Sequence, residues 1–210
     1  MVSISYCITT HNEGAIYLEN LFQMILKYIQ PEDEIIVVDD FSNDSSTIDT
    51  LAKYASSLTV YENALNNDFS AQKNFAKSKC TKDYIVFIDA DEVPCDTLML
   101  TMKEILFNNP QVDMYLVPRI NMVQGLTQAD INRWDWQVNE KGWVNYPDYQ
   151  TRIIKNIPEI LWEGVIHERL SGFSTHSELP SESSDYCLIH LKEINRQRKQ
   201  NEFYNNIVKK

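Results

Sequence analysis

Glycine is scarce in this chain, with 5 in 210 residues, and no glycine-rich loop follows its first apolar run. No stretch of 18 apolar residues occurs, so the pattern offers no membrane-spanning helix. Cysteine is sparse too: Cys7, Cys80, Cys95 and Cys187 lie far apart without a C-x-x-C pair. That spacing argues against a disulfide framework or a zinc site and suits thiols in a reducing compartment. Basic residues are outnumbered, 19 against 30 acids, for a net charge of −11. A general nucleic-acid binder needs the opposite balance, so any polyanionic ligand must be held locally, by a metal or a few cations. The first residues, Met1-Val2-Ser3-Ile4, lack the basic segment of a secretory signal, and the expected location is cytoplasmic. The Asn43-Asp44-Ser45 sequon carries no meaning there. Internal repeats and Pro/Gly/Ser-rich linkers are absent as well.

What is present is the composition of a folded globular chain, 43% hydrophobic and 23% charged, at a length that suits one domain with its own core. Two hydrophobic periods alternate through the first half. Ser3–Thr9 is a short apolar run, and Ala15, Leu18, Phe22, Ile25 and Ile29 recur at helical spacing. Glu34–Asp40 is a β-branched run ending in acids, the pattern of a strand buried on both faces. Ile48, Leu51, Ala52 and Ala55 mark a helix for Asp44 or Ser45 to cap. Leu58–Tyr61 reads as a strand, 69–79 as a helix, Tyr84–Asp89 as a strand, and Leu98, Met102, Ile105 and Leu106 as a helical stripe. This alternation predicts βαβ units and an α/β fold with a mainly parallel sheet.

From Met114 to His190 the pattern changes to short strand-like runs: Met114–Val117, Arg152–Lys155, Val165–Leu170 and Tyr186–Leu191. Trp134, Trp136 and Trp143 crowd together there, as the core of a small hairpin or as an apolar platform under a sugar. The last twenty residues hold six Lys or Arg against two Glu, and Phe203, Tyr204, Ile207 and Val208 suggest a helix with one apolar stripe. A single domain, 1–210, in three parts (1–110, 111–190 and 191–210) is expected.

In an open parallel sheet, ligands bind beyond the carboxyl ends of the strands. Here those ends are Thr9-Thr10-His11-Asn12-Glu13, Asp39-Asp40 and Asp89-Ala90-Asp91-Glu92. Acids meeting at one rim repel unless a cation sits among them, which points to a metal-dependent site. Asp89 and Asp91 leave the same face if their strand continues through both. Hard carboxylates without cysteine suit Mg²⁺ or Mn²⁺, which neutralise phosphate leaving groups. Asp89–Val93 also fits D-x-D-x-[TV], the motif of haloacid-dehalogenase-type phosphatases. That motif follows a first strand and needs a lysine and an acidic pair downstream, whereas here it follows the fourth and the acidic pair lies upstream.

Several segments in order resemble a family 2 glycosyltransferase of the GT-A fold. Ser5–Glu13 is similar to the family's opening strand and T-x-x-N-E loop, and Ile35–Ser46 to its V-D-D-x-S-x-D segment. Gln72-Lys73-Asn74 is similar to its A-R-N or Q-R-N triplet, and Tyr84–Glu92 to its I-x-x-L-D-A-D-E strand. Tyr149–Arg152 followed by Trp162–Glu168 resembles the W-E-G-x-x-H-E region of small bacterial transferases that add glucose or heptose to lipopolysaccharide cores. Departures are Lys73 for arginine, which removes a bidentate contact, Thr10-His11 for a tyrosine or aliphatic residue, and Phe41 for glycine. The Q-x-x-R-W signature of processive synthases is missing, so single-sugar transfer is implied.

The resemblance implies a Rossmann-like, mainly parallel sheet with a smaller irregular part and a C-terminal helix. Residues 1–110 would bind the nucleotide sugar, 111–190 would face the acceptor, and 191–210 would form the helix. It implies metal-dependent, inverting transfer from a nucleotide sugar, UDP-linked by preference, to a glycan or glycolipid hydroxyl. Thr9, Asn12, Glu13, Asp40, Lys73 and Asp89 would contact the donor. Asp89, Asp91 and His190, the last on a strand Asp185–Leu191, would hold Mn²⁺ or Mg²⁺. Glu168 would be the general base, with His167 assisting; Glu163 is its rival, on the opposite face of a regular strand. Glu13 and Asp40 could instead complement helix dipoles. Arg119 and Arg152 could offset diphosphate charge or form surface ion pairs. The basic C-terminal helix is a solvated face or a peripheral contact with an anionic acceptor. No nucleic-acid partner and no membrane span are expected. Two alternatives are a sugar-1-phosphate nucleotidyltransferase, whose glycine-rich loop is missing, and a catalytically silent nucleotide-sugar binder.

Overall fold

The computed structural model describes residues 2–208, with side chains through Glu202. Strands and helices alternate as β1 (Ile4–Thr10), α1 (Ala15–Tyr28), β2 (Glu34–Asp39), α2 (Ser45–Lys53), β3 (Thr59–Glu62), α3 (Phe69–Lys79) and β4 (Tyr84–Asp89). A short β5 (Glu92–Pro94), α4 (Asp96–Asn108), β6 (Met114–Val117), β7 (Arg119–Gln124) and α5 (Gln128–Trp134) follow. The chain ends with β8 (Gln150–Lys155), β9 (Leu161–Glu163), β10 (Arg169–Ser171), β11 (His176–Glu178), β12 (Leu188–Glu193) and α6 (Ile194–Val208).

Strands apolar on both faces organise the whole. Ile4, Tyr6 and Ile8 of β1 pack with Leu18, Leu21, Phe22 and Ile25 of α1 and with Leu98, Met102 and Leu106 of α4. Cys7, Ile36, Val38, Ile85 and Phe87, of opposite parity, pack with Ala76 of α3 and with Trp162. Two-sided burial of this kind is what a parallel sheet requires. The main sheet has the order β11-β6-β8-β4-β1-β2-β3, with β8 antiparallel to both its neighbours and the other pairings parallel. β5, β12 and β7 form a second sheet beside the rim, and β9 and β10 form a hairpin. The expected α/β fold with a mainly parallel sheet is therefore present. Asp44 is the cap of α2, accepting from the Thr47 N–H at 2.8 Å. No helix among the described residues is long and apolar enough to cross a membrane.

Three expectations change. Of the expected strand Val165–Leu170 only Arg169 and Leu170 are extended, in β10: Gly164 (φ +97°) and His167 (φ +56°) break the run, and residues 164–168 turn between β9 and β10. The Phe69 N–H at the start of α3 donates to the Val165 carbonyl at 3.0 Å and holds that turn. The strand carrying His190 begins at Leu188, because Ser184–Tyr186 winds into a 3₁₀ turn. Trp134, Trp136 and Trp143 are half-buried and make no core; Trp134 and Trp136 lie with ring centroids 4.7 Å apart. The apolar stripe expected from Phe203, Tyr204, Ile207 and Val208 lies outside the described side chains. Phe41, where glycine was the family's residue, takes φ +47° and stays exposed.

Gly172, just after β10, combines φ +79° with a backbone approach so close that a Cβ would meet the Glu159 carbonyl oxygen at 1.8 Å. Gly142 has a similar φ of +77° but open space around it. Gly172→Ala is expected to cost about 3 kcal/mol or more, because backbone must move. Gly142→Ala is expected to cost only about 1 kcal/mol, from the left-handed conformation alone. Urea unfolding of the two variants tests the difference, and equal costs would refute it.

Candidate active site

The rim of the parallel sheet opens into a cavity of about 530 Å³. Its walls come from residues after β1 (Thr9, Glu13), from the β4–β5 turn (Asp89, Asp91), from α3 (Lys73) and from the β9–β10 turn (His167, Glu168). Asn121 and Val123 of β7, His190 and Lys192 of β12, and Arg196 of α6 complete it. Asp89 ends β4 and Asp91 sits in the turn that follows, so the expected continuous strand through both is not formed.

The acids at this rim are balanced first by the chain's own arginines. Arg152, only 3% exposed, places Nη2 2.5 Å from Asp89 Oδ2 and 2.6 Å from Glu92 Oε1, while its Nε donates to Glu92 Oε2 at 3.0 Å. Arg119 bridges Glu92 at 2.9 Å and Asp148 at 2.6 Å. Glu92 is fully buried, and its oxygens are met by these two guanidinium groups and by the Asp89 N–H, which donates to Oε2 at 3.2 Å. Burial alone would push the Asp89 carboxyl up. Arg152, with Lys73, Arg119 and His190, outweighs burial and holds it well below the ordinary carboxylate range.

Asp91 and His190 come together, with Oδ2 and Nε2 3.2 Å apart. His190 Nδ1 is 2.7 Å from Asn121 Oδ1. The Asn121 amide is oriented by its own donors, which reach Asp148 Oδ2 at 2.8 Å and the Val144 carbonyl at 3.3 Å. Its oxygen therefore accepts, and His190 Nδ1 must carry a proton. In the neutral ring Nε2 is then a lone pair facing a carboxylate, an arrangement completed by a second proton or by a cation. Burial raises the Asp91 carboxyl, but its hydrogen bond and charge interaction with His190 bring it below the usual value. Arg196 pairs with Glu13 and approaches Asp91 to 3.5 Å. Burial still leaves Glu13 raised, with the Asp91 charge adding to the effect.

Two donors meet here, where three were expected. Asp89 Oδ2 is engaged by Arg152, and among the described residues no group of three His, Cys, Asp or Glu side chains could hold an ion alone. The pair suits a hard divalent cation whose remaining ligands come from a phosphate substrate and water.

On the α3 side, Lys73 Nζ bonds Glu168 Oε1 at 2.5 Å and stands 4.3 Å over the Trp162 ring. The next residue, Asn74, clamps the Trp162 backbone twice, accepting from its N–H at 2.9 Å and donating to its carbonyl at 2.8 Å. Gln72 bonds Asn63 in the same way from the other side. Asn74 thus ties α3 to β9 and Lys73 ties it to Glu168 in the turn that follows, while Gln72 anchors α3 to Asn63 after β3. Glu163 accepts from Ser171 Oγ at 2.6 Å and takes no part in the cavity wall.

Of the expected donor contacts, Thr9, Glu13, Lys73 and Asp89 line the cavity, whereas Asn12 and Asp40 lie outside its walls. Asn12, at φ +52°, accepts from the Asn43 and Asp44 N–H groups, and Asp40 accepts from the Leu65 N–H at 2.9 Å. Both hold rim loops in place. Arg119 and Arg152 are buried partners of the site's acids and not surface ion pairs. The sequence reading passed over Asn121, Asp148, Lys192 and Arg196. Lys192 had a signal, since residue i+2 on a strand shares the face of His190.

A sequence profile, Glycosyl transferase family 2, matches residues 5–170. The chain belongs to that family. Two curated family relatives, uncharacterised glycosyltransferases of Rickettsia prowazekii and Rickettsia typhi, are each 32% identical over 123 residues. The matched stretch is 59% of this chain but 39% of either relative, so the chain spans about two fifths of their length. Among solved structures, S. aureus TarS 1–349 is similar with a TM-score of 0.60 at 18% identity, over 89% of this chain and 60% of that one. Its complex with UDP-GlcNAc gives 0.61 at 18%, over 91% and 59%. These likenesses show the shared GT-A fold. The family profile ends before β12, so His190 and Lys192 lie beyond the matched part.

Removing the Arg152 guanidinium would strand two carboxylates. Arg152→Met is expected to destabilise the fold by about 3–5 kcal/mol at neutral pH, the usual cost of breaking a buried ion pair. The sign of the pH dependence follows from Asp89. Its depressed folded-state value gives wild-type stability that is present above the unfolded carboxyl value and lost as pH falls through the folded one. In Arg152→Met the carboxylates gain protons more readily, so the deficit should narrow between about pH 7 and about pH 4. Denaturant curves across that range check it, and a constant deficit would refute it.

Proposed function

We propose that the chain transfers one sugar from a nucleoside-diphosphate sugar to an acceptor hydroxyl, by inversion and with a divalent cation. The observation that carries the reading is one cavity presenting Asp91 with His190 and, on another wall, Glu168 with Lys73. TarS, solved with UDP-GlcNAc and with UDP, supports a UDP-linked donor. The four free thiols support a cytoplasmic setting.

Asp91 and His190 are the residues that would hold Mn²⁺ or Mg²⁺, with Asn121 fixing the imidazole as an outer partner. The ion, when bound, supplies neutralisation of the departing diphosphate. Asp89, with one oxygen held by Arg152, has its other oxygen for a ribose hydroxyl. Thr9 pairs with it from the neighbouring strand, and Glu13 flanks it from the loop that follows. Glu168 takes the proton of the acceptor hydroxyl as that oxygen forms its bond to the anomeric carbon. The bond to the diphosphate breaks, and its electron pair leaves with the nucleotide. His167 stands beside Glu168 to meet the acceptor, a glycan or glycolipid, and half-buried Trp136 offers a wall for its ring.

Glu168→Gln is expected to bind UDP and Mn²⁺ normally but to lose transfer by roughly 10²–10⁴-fold, as for a missing general base. Glu163→Gln should transfer like wild type, and the reverse pattern would give Glu163 the role. Asp91→Ala should abolish the Mn²⁺-dependent part of UDP binding, and His190→Ala should weaken it. Calorimetry with UDP, GDP and TDP reads both effects and the base preference. Wild-type protein that binds UDP-sugar with Mn²⁺ yet neither hydrolyses nor transfers it would be a binder instead.

A further inference from the structure

Four lysine and arginine side chains reach the cavity walls, and three are already matched by carboxylates. Lys73 has Glu168, Arg119 has Glu92 and Asp148, and Arg196 has Glu13 and Asp91. Lys192 is different. Its Nζ donates to Gln197 Oε1 at 3.0 Å and to Gln200 Oε1 at 2.8 Å, both neutral, and among the described residues no carboxylate forms an ion pair with it. Gln197 is oriented for this by its own amide N–H, which donates to Asn201 Oδ1 at 2.8 Å.

The placement of Lys192 is set by strand geometry. It follows His190 by two residues on β12 and so projects from the same face. In the parallel pairing His190 lies opposite Asn121 and Lys192 opposite Val123, and all four line the cavity. An ammonium has three N–H donors. Two are taken by the glutamines of α6, leaving a third, and no carboxylate oxygen lies within ion-pair distance among the described residues. A half-buried ammonium whose hydrogen bonds go only to neutral acceptors keeps its capacity for a strong charge-assisted bond to an anion that enters the cavity.

We infer that Lys192 is a diphosphate-binding residue: its ammonium takes a non-bridging oxygen of a nucleoside diphosphate in the cavity, and α6 holds it ready through Gln197 and Gln200. The inference rests on the nucleotide-sugar reading of the site and adds a residue beyond the part matched by the family profile. A lysine serves here as a compact point charge, the role this side chain plays at phosphates generally.

The test compares UDP, by calorimetry with Mn²⁺, and uridine, by NMR titration, on wild type, Lys192→Gln and Lys192→Arg. Lys192→Gln should weaken UDP by roughly 10- to 100-fold, the range of a lost hydrogen bond to a charged group, and leave uridine unchanged. Lys192→Arg should stay close to wild type for both. Equal UDP affinity in Lys192→Gln and wild type overturns the inference, and so does an equal loss for UDP and uridine, which marks a structural role. If Lys192→Gln fails to fold, reductive methylation of wild type, read at Lys192 by mass spectrometry, decides. UDP should slow it and uridine should not; a rate indifferent to UDP overturns the inference. Wild type that binds none of UDP, GDP and TDP removes the nucleotide-sugar reading itself, and this assignment with it. That result is distinct from tight UDP binding by wild type and Lys192→Gln alike.

Discussion

Glu92 is a fully buried carboxylate held between two arginines, and the geometry of the rim follows from that one constraint. Arg152 can satisfy Glu92 only from beneath the β4–β5 turn, and from there its second contact is Asp89. Arg119 satisfies the other side and fixes Asp148. Asp148 orients the Asn121 amide, Asn121 sets which nitrogen of His190 is protonated, and His190 faces Asp91. The links as far as His190 are hydrogen bonds, each oriented by the one before it, and the last is the approach of the imidazole to the Asp91 carboxylate. Buried networks of this kind are useful only when every member is satisfied.

The consequence for chemistry is a division of labour between two aspartates two residues apart. Asp89 has its charge compensated by a permanent guanidinium. Asp91 has beside it an imidazole and the flank of Arg196, groups that can give way to another cation. Acidic crowding at a sheet rim is thus resolved in two ways at once, internally at Asp89 and by exchangeable partners at Asp91.

The first half of the fold was legible because its strands are buried on both faces, and two-sided burial writes itself into local composition, as in Ile35–Val38. In the second half Met114–Val117 and Arg152–Lys155 were legible as strands, whereas β9 and β10 were not, because each has three residues and is placed by partners distant in sequence. Trp162 is placed by Asn74, and the 164–168 turn by Phe69, contacts that no local period encodes. Asp89, Asp91 and His190 reached the cavity although the argument for the first two assumed a strand where a turn occurs. The sheet-edge rule carried the two aspartates there, as it carries any residue just past a parallel strand, whereas His190, inside β12 of the second sheet, came from the family resemblance. Asn12 and Asp40 obeyed the same rule but were drawn off by unpaired backbone N–H groups in their own loops. The expected C-terminal helix is α6, but a summed charge could not show that Lys192 of β12 and Arg196 of α6 line the cavity.

Lys73 shows how a departure from the family pattern can be internally consistent. Arginine would fork and bind two acceptors in a fixed plane, while lysine makes a point contact on a flexible stem. In this site the ammonium has two partners of different kinds, the Glu168 carboxylate and the face of Trp162. In the proposed transfer Glu168 would take up a proton, lose its charge and with it most of its hold on the neighbouring cation. The indole face, insensitive to that proton, would then keep the ammonium in place. Asn74 secures the indole by clamping its backbone, so one turn of α3 both restrains the carboxylate and supports the cation that restrains it.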